Sequence, residues 1–84
     1  MEEKLTLNDR TQIQGHKLET ESRLFLYLNG ITLAEAFHLL IDPQKTKYIQ
    51  WERYGQTGHV YGFTKLMSIS EEAGGMICAA LKKE

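Results

Sequence analysis

The chain has 84 residues, 42% hydrophobic and 25% charged, with 10 Lys and Arg against 11 Asp and Glu for a net charge of −1. One Pro and 7 Gly at that hydrophobic content exclude disordered, collagen-like and linker-like classes, and the near-neutral balance excludes the basic footprint of a bulk nucleic-acid binder. Cys78 is the single cysteine, so no intrachain disulfide forms, and no apolar run approaches the ~20 residues a membrane-spanning helix needs.

Residues 3–8 alternate, with Leu5 and Leu7 opposite Lys4 and Thr6, which predicts a half-buried strand. Asn8, Asp9 and Arg10 are a turn signal, because Asn and Asp bond their own backbone. A weaker alternation over 11–20 predicts a second strand, with Gly15 read as a bulge or sharp bend. Glu19 to Ser22 form the next turn. Arg23 to Leu28 then give the clearest strand, Leu24, Leu26 and Leu28 facing one way and Arg23, Phe25 and Tyr27 the other. Both faces are largely apolar, so this strand is expected to be central, or covered outside by the helix or another subunit.

Asn29 and Gly30 break the strand. Thr32 with Glu35 three residues on spells a capping box, opening a helix from Leu33 to Ile41. Leu33, Phe37, Leu40 and Ile41 form one stripe, expected to dock on the sheet. Asp42 and Pro43 stop the helix. Lys47 to Tyr54, rich in β-branched and aromatic residues, reads as a strand. Gly55 to Gly58 reads as a hairpin loop and His59 to Ser70 as one long strand marked by Gly62. Glu71 to Gly75 form a turn, Met76 to Leu81 a last strand, and Lys82 to Glu84 a solvated end. The expectation is a single α+β domain over residues 1–84: a mostly antiparallel sheet or small barrel, order β-β-β-α-β-β-β, with one short helix packed on it.

Motifs for bond-making chemistry are missing from the pattern. His16, His38, His59 and Cys78 have no zinc-ligand spacing. Cys78 sits among small apolar neighbours, without the helix N-terminus or cations that activate a thiol. Ser22, Ser68 and Ser70 lack a nucleophile-elbow setting, and the adjacent Glu71 and Glu72 point to opposite faces of an extended segment. Gly74-Gly75 follows two glutamates, which repel phosphate. No enzyme activity, cofactor or metal is expected.

The uneven feature is aromatic. Tyr48, Trp51, Tyr54, Tyr61 and Phe63 lie between positions 48 and 63, with Arg53, His59 and Lys65 interleaved. Rings mixed with cations suit cross-strand pairing, a protein or self-association surface, or a small nucleotide-like ligand. Tyr48, Trp51, Arg53, Tyr54, His59, Tyr61 and Lys65 are the candidate ligand- or partner-binding residues. At ~25 cal/mol per Å² of apolar surface, burial contributes on the order of 130 kcal/mol, against roughly 126 kcal/mol for ordering the chain. So close a balance favours association, and a homo-oligomer is expected.

Thr32-Leu33-Ala34-Glu35-Ala36-Phe37, Asp42-Pro43-Gln44-Lys45-Thr46 and Tyr61-Gly62-Phe63-Thr64-Lys65-Leu66 together resemble small proteins encoded by bacteriophages and prophages of gut and soil bacteria. The shared pattern is a leading hairpin, a short helix running into Asp-Pro, a Gly-aromatic-Thr strand and a late glycine hairpin. No functional residue is carried over. The resemblance implies a non-catalytic binding protein: an inhibitor of host defence that binds an immune protein or sequesters a nucleotide signal, or a virion or tail accessory assembling through its sheet. Its partner is then a host or phage protein or a small nucleotide-like ligand. The Met1-Glu2-Glu3-Lys4 opening has no apolar signal-peptide region, so the setting implied is the cytoplasm of an infected or lysogenic bacterium.

Overall fold

The computed structural model describes residues 3–7, 12–46, 48–53 and 56–84, with Glu3, Arg53, Thr57 and His59 described by backbone alone. Their strands are β1 (Glu3–Leu7), β2 (Gln12–Glu19), β3 (Arg23–Asn29), β4 (Ile49–Arg53), β5 (Gln56–Tyr61), β6 (Phe63–Glu71) and β7 (Ile77–Lys83), with the helix α1 (Leu33–Leu40) between β3 and β4. All pair antiparallel in one sheet ordered β5-β4-β1-β2-β3-β7-β6. The predicted α+β class and the strand–helix–strand order hold, with one strand more than expected. The predicted turn at Asn8 to Arg10, and Lys47, Tyr54 and Gly55, lie outside the described residues.

The extra strand arises at Gly62. The predicted long strand divides there into β5 and β6, which occupy opposite edges of the sheet. Two Cα steps span at most about 7 Å, so the sheet must curl until its two edges nearly meet. Gly62 is held there by the Glu84 N–H, which donates to its carbonyl at 3.2 Å. Among the described residues β5 and β6 do not pair side by side, so the sheet is curled but is not closed into a barrel.

Curling gives the sheet a concave face. Leu5, Leu7, Ile13, Leu24, Leu26, Leu28, Ile49, Ile77, Ala79 and Leu81 fill it, as strand alternation dictates. Gly15 shares that face. The register of β2 with β3 runs through it unbroken, from Gln14↔Asn29 to Glu19↔Leu24, so it is not a bulge. It is instead a point of close approach, where a Cβ would press on the Tyr27 carbonyl oxygen and lie 3.2 Å from the Leu28 Cα. The β6–β7 hairpin needs glycine for another reason: Gly74 and Gly75 both adopt φ of 81°, a region closed to most side chains.

The helix starts and stops as its sequence predicts. Glu35 N–H donates to Thr32 Oγ1 at 3.1 Å, and the Thr32 N–H and hydroxyl donate to Glu35 Oε1 at 3.1 and 2.9 Å. These bonds to the ionised form, the hydroxyl's first, hold the Glu35 carboxyl below its usual range. Asp42 accepts from the Gln44 N–H at 2.9 Å and turns the chain out. The buried face differs from the prediction. Ala36 and Leu40 enter the core with Leu39 packed against it, while Leu33, Phe37 and Ile41 remain 36, 45 and 47% exposed. The cause is space. Ala36 and Leu40 lie with Leu7, Leu26 and Leu28 around a residual void of only about 10 Å³, and the small Ala36 lets the helix come close.

Candidate functional site

The predicted aromatic residues divide among separate places. Trp51 and Tyr61 share the concave face; Tyr61 is 4% exposed and Trp51 half-buried. Tyr48 is 53% exposed and lines an open cleft of about 560 Å³ with Pro43, Gln44, Phe63, Thr64 and Glu84. Lys65 is exposed on the outer face of β6, opposite Lys82. Arg53 and His59 lie in β4 and β5, but their side chains, like all of Tyr54, fall outside the description. The described side chains of the hairpin therefore share no single surface. It sends two rings inward and leaves Tyr48 at the mouth of a cleft.

Around the inward rings is a polar cluster that the sequence reading missed. Lys17 Nζ lies 5.2 Å from both the Trp51 and Tyr61 ring centroids. The Tyr61 hydroxyl donates to Glu19 Oε1 at 3.0 Å, and Lys83 Nζ donates to Glu19 Oε2 at 2.7 Å and to the Thr20 carbonyl at 3.0 Å. Lys17 Nζ stands 3.7 Å from Glu19 Oε1. Gly58 makes room for the Trp51 ring, since a Cβ there would lie 2.6 Å from its Cε3. The signal available was parity: Ile13, Gly15, Lys17 and Glu19 alternate onto one face of β2. Lys83 likewise shares the inward parity of Ile77, Ala79 and Leu81, so the predicted solvated end is half tucked in.

This cluster is a latch between β2, β5 and β7. Lys83 and then Tyr61 hydrogen-bond the Glu19 carboxylate and hold its carboxyl below the usual range. Tyr61, with Glu19 behind it, holds the Lys17 ammonium above its usual value against a smaller opposing effect of burial. A lowered carboxyl stabilises the fold above its ordinary pKa of about 4.3, and that contribution is lost as pH falls through the lowered folded-state value. The raised ammonium contributes below its own ordinary value and is lost only in strong alkali. Thermal melts should therefore show Tm falling as pH drops below the ordinary carboxylate range. Glu19→Gln should lower Tm at neutral pH and shrink the acid fall; an acid limb identical to wild type would contradict the latch.

Burial pushes the Cys78 thiol up, and the Glu72 carboxylate adds to the effect, so it stays protonated and weakly nucleophilic at neutral pH. Among the described residues no group of His, Cys, Asp and Glu could hold a metal ion, and no helix is long and apolar enough to cross a membrane. No family model matches the chain, and neither a curated protein nor a solved structure does.

The most uneven surface is on α1. Leu33, Phe37 and Ile41 fall at i, i+4 and i+8, a single row along the helix, and the chain passes from Ile41 straight into Pro43 and Gln44 at the Tyr48 cleft. Ala36 and Leu40 are buried on the adjoining flank, so the apolar stripe of α1 is wider than the part the sheet covers. An apolar stripe of that width is ordinarily covered across its whole breadth.

Proposed function

We propose that the protein is a non-catalytic binding protein of the phage type that inhibits a bacterial host defence by covering the surface of one of its proteins. The docking surface is the Leu33, Phe37 and Ile41 face of α1, with the Tyr48 cleft at its end. The observation that carries this reading is the exposure of 36, 45 and 47% along that one row. Anchors at helical spacing are what a groove on another protein receives, and an aromatic at the centre is a common hot spot. The protonated Cys78 thiol and the Glu19 carboxylate already bonded to Tyr61 and Lys83 favour binding over catalysis. The rival reading, a virion or tail accessory assembling through sheet edges, draws less support. The pairings of both edge strands carry register shifts, which discourage edge-to-edge addition. The cytoplasm of an infected or lysogenic host is the location this reading implies.

The test compares wild type with Phe37→Glu. A host protein captured by wild type is purified and titrated against both by calorimetry. Loss of a central anchor of ~2 kcal/mol or more weakens binding by about thirtyfold. Equal affinity, with both proteins folded by circular dichroism, would overturn the assignment of the surface.

A further inference from the structure

We infer that the outer face of β3, β7 and β6 is a nucleotide site, separate from the α1 surface and sharing no residue with it. The register sets Arg23 opposite Lys82 and Lys82 opposite Lys65. Three cations on three neighbouring strands thus form a straight row, about 10 Å from end to end at ~4.8 Å per strand. All three are exposed, and none of their charged heads makes an ion pair or hydrogen bond among the described residues, Arg23 bonding Thr20 through its backbone alone. Like charges directly opposite across a ladder destabilise it. An anion lying on the row reverses that effect.

Beyond the row the same face forms a shallow trough along β7. Its floor is the small pair Ala80 and Cys78, its walls Phe25 and Tyr27 on one side and Ser68 and Ser70 on the other, and its volume about 110 Å³. Phe25 pairs with Ala80 and Tyr27 with Cys78, so the rings stand beside the floor in register. His16 stacks on Tyr27 at 4.8 Å and 14°, which fixes that ring. At the far end Ser70 Oγ donates to Glu72 Oε2 at 2.9 Å. The trough therefore has a cationic end, a flat apolar middle with hydroxyls along one wall, and an acidic end.

A ligand that fits has an anionic head, a planar body and hydrogen-bond donors at its tip. That describes a nucleotide with its phosphates on Arg23, Lys82 and Lys65, its base against Phe25 and the serines, and an exocyclic amine toward Glu72. An acidic peptide fits less well, having no flat body for the trough and meeting Glu72 with like charge. The trough is too shallow to enclose a base, so the phosphate row supplies most of the attraction.

Amide chemical-shift titrations at low salt test this with ATP, inorganic tripolyphosphate, a short oligo-dA and poly-glutamate. ATP should saturate and shift the amides of Phe25, Tyr27, Ser68 and Ala80, whereas tripolyphosphate should bind more weakly and shift only the cation row. Oligo-dA binding more tightly than ATP, with a log–log salt slope of about −2 for three released counterions, would place the nucleotide in a single strand; weaker binding would mean a free nucleotide. Lys65→Glu with Lys82→Glu should weaken ATP at least tenfold. Ser68→Tyr, which fills the trough without changing charge, should weaken ATP and leave tripolyphosphate unchanged. ATP shifts centred on the Tyr48 cleft, an affinity indifferent to charge reversal, or tighter binding of poly-glutamate than of ATP would each overturn the inference. None of these variants alters a residue of α1, so their effects are distinguishable from loss of the protein-binding surface.

Discussion

Leu26→Ala should lower stability by about 3–5 kcal/mol, the cost of a fully enclosed leucine whose site cannot collapse. Leu26 is 1% exposed in the middle of β3. It lies with Leu5, Leu7, Ile13, Leu28, Ala36 and Leu40 around a void of about 10 Å³, no larger than one water probe. The neighbours cannot close over the lost methyls, because each belongs to a strand or helix fixed by its own ladder or cap. Total stability for a chain of this length is roughly 4–13 kcal/mol, so the loss removes much of it. Tm should fall by about 12 °C or more. Urea midpoints measure the change directly. Leu18→Ala is the control: Leu18 is 56% exposed on the outer face, and a surface change there should stay within about 0.5 kcal/mol. Equal losses at the two positions would contradict the assignment of faces.

The second large effect is at Gly15. Replacing a strand glycine by alanine at a compatible position stabilises by about 0.4–1 kcal/mol, by restricting the unfolded chain. Here the new Cβ meets backbone, the Tyr27 carbonyl oxygen, with the Leu28 Cα 3.2 Å away. Backbone held by ladders on both sides cannot give way cheaply, since β3 is paired to β2 and β7 at once. Overpacking of about 1–3 kcal/mol therefore wins, and Gly15→Val should cost more than Gly15→Ala. Urea melts give the sizes, and amide exchange at Leu28 should quicken. A Gly15→Ala protein as stable as wild type would mean that the two strands do not approach so closely.

Strand positions were readable because period-2 alternation survives wherever one face is buried; Leu24, Leu26 and Leu28 mark β3 without ambiguity. The capping box at Thr32 and Glu35 was equally plain, being a local arrangement. The buried face of α1 was not. Periodicity places Leu33, Phe37, Leu40 and Ile41 on one apolar stripe, but which side meets the sheet depends on the tight fit of Ala36, a tertiary fact that favours the small residue over the large ones. Gly62 was visible as an irregularity, yet nothing local says that the strands flanking it belong to opposite sheet edges. Of the candidate site, composition alone marked the aromatic cluster. Its division into inward Trp51 and Tyr61 and outward Tyr48 depends on the curl of the sheet. The Glu19 latch joins residues 42 and 64 positions apart, beyond the reach of any sequence window.

Hydroxyl-radical footprinting of the free protein and of its complex with the captured host protein is the most direct measurement. In the free protein Leu33, Phe37 and Ile41 should label heavily and Leu40 scarcely at all. In the complex all three should be protected together while Leu18, on the outer sheet face, keeps its labelling. Labelling of the three α1 residues that is unchanged by the partner, or already low in the free protein, would contradict the proposed docking face.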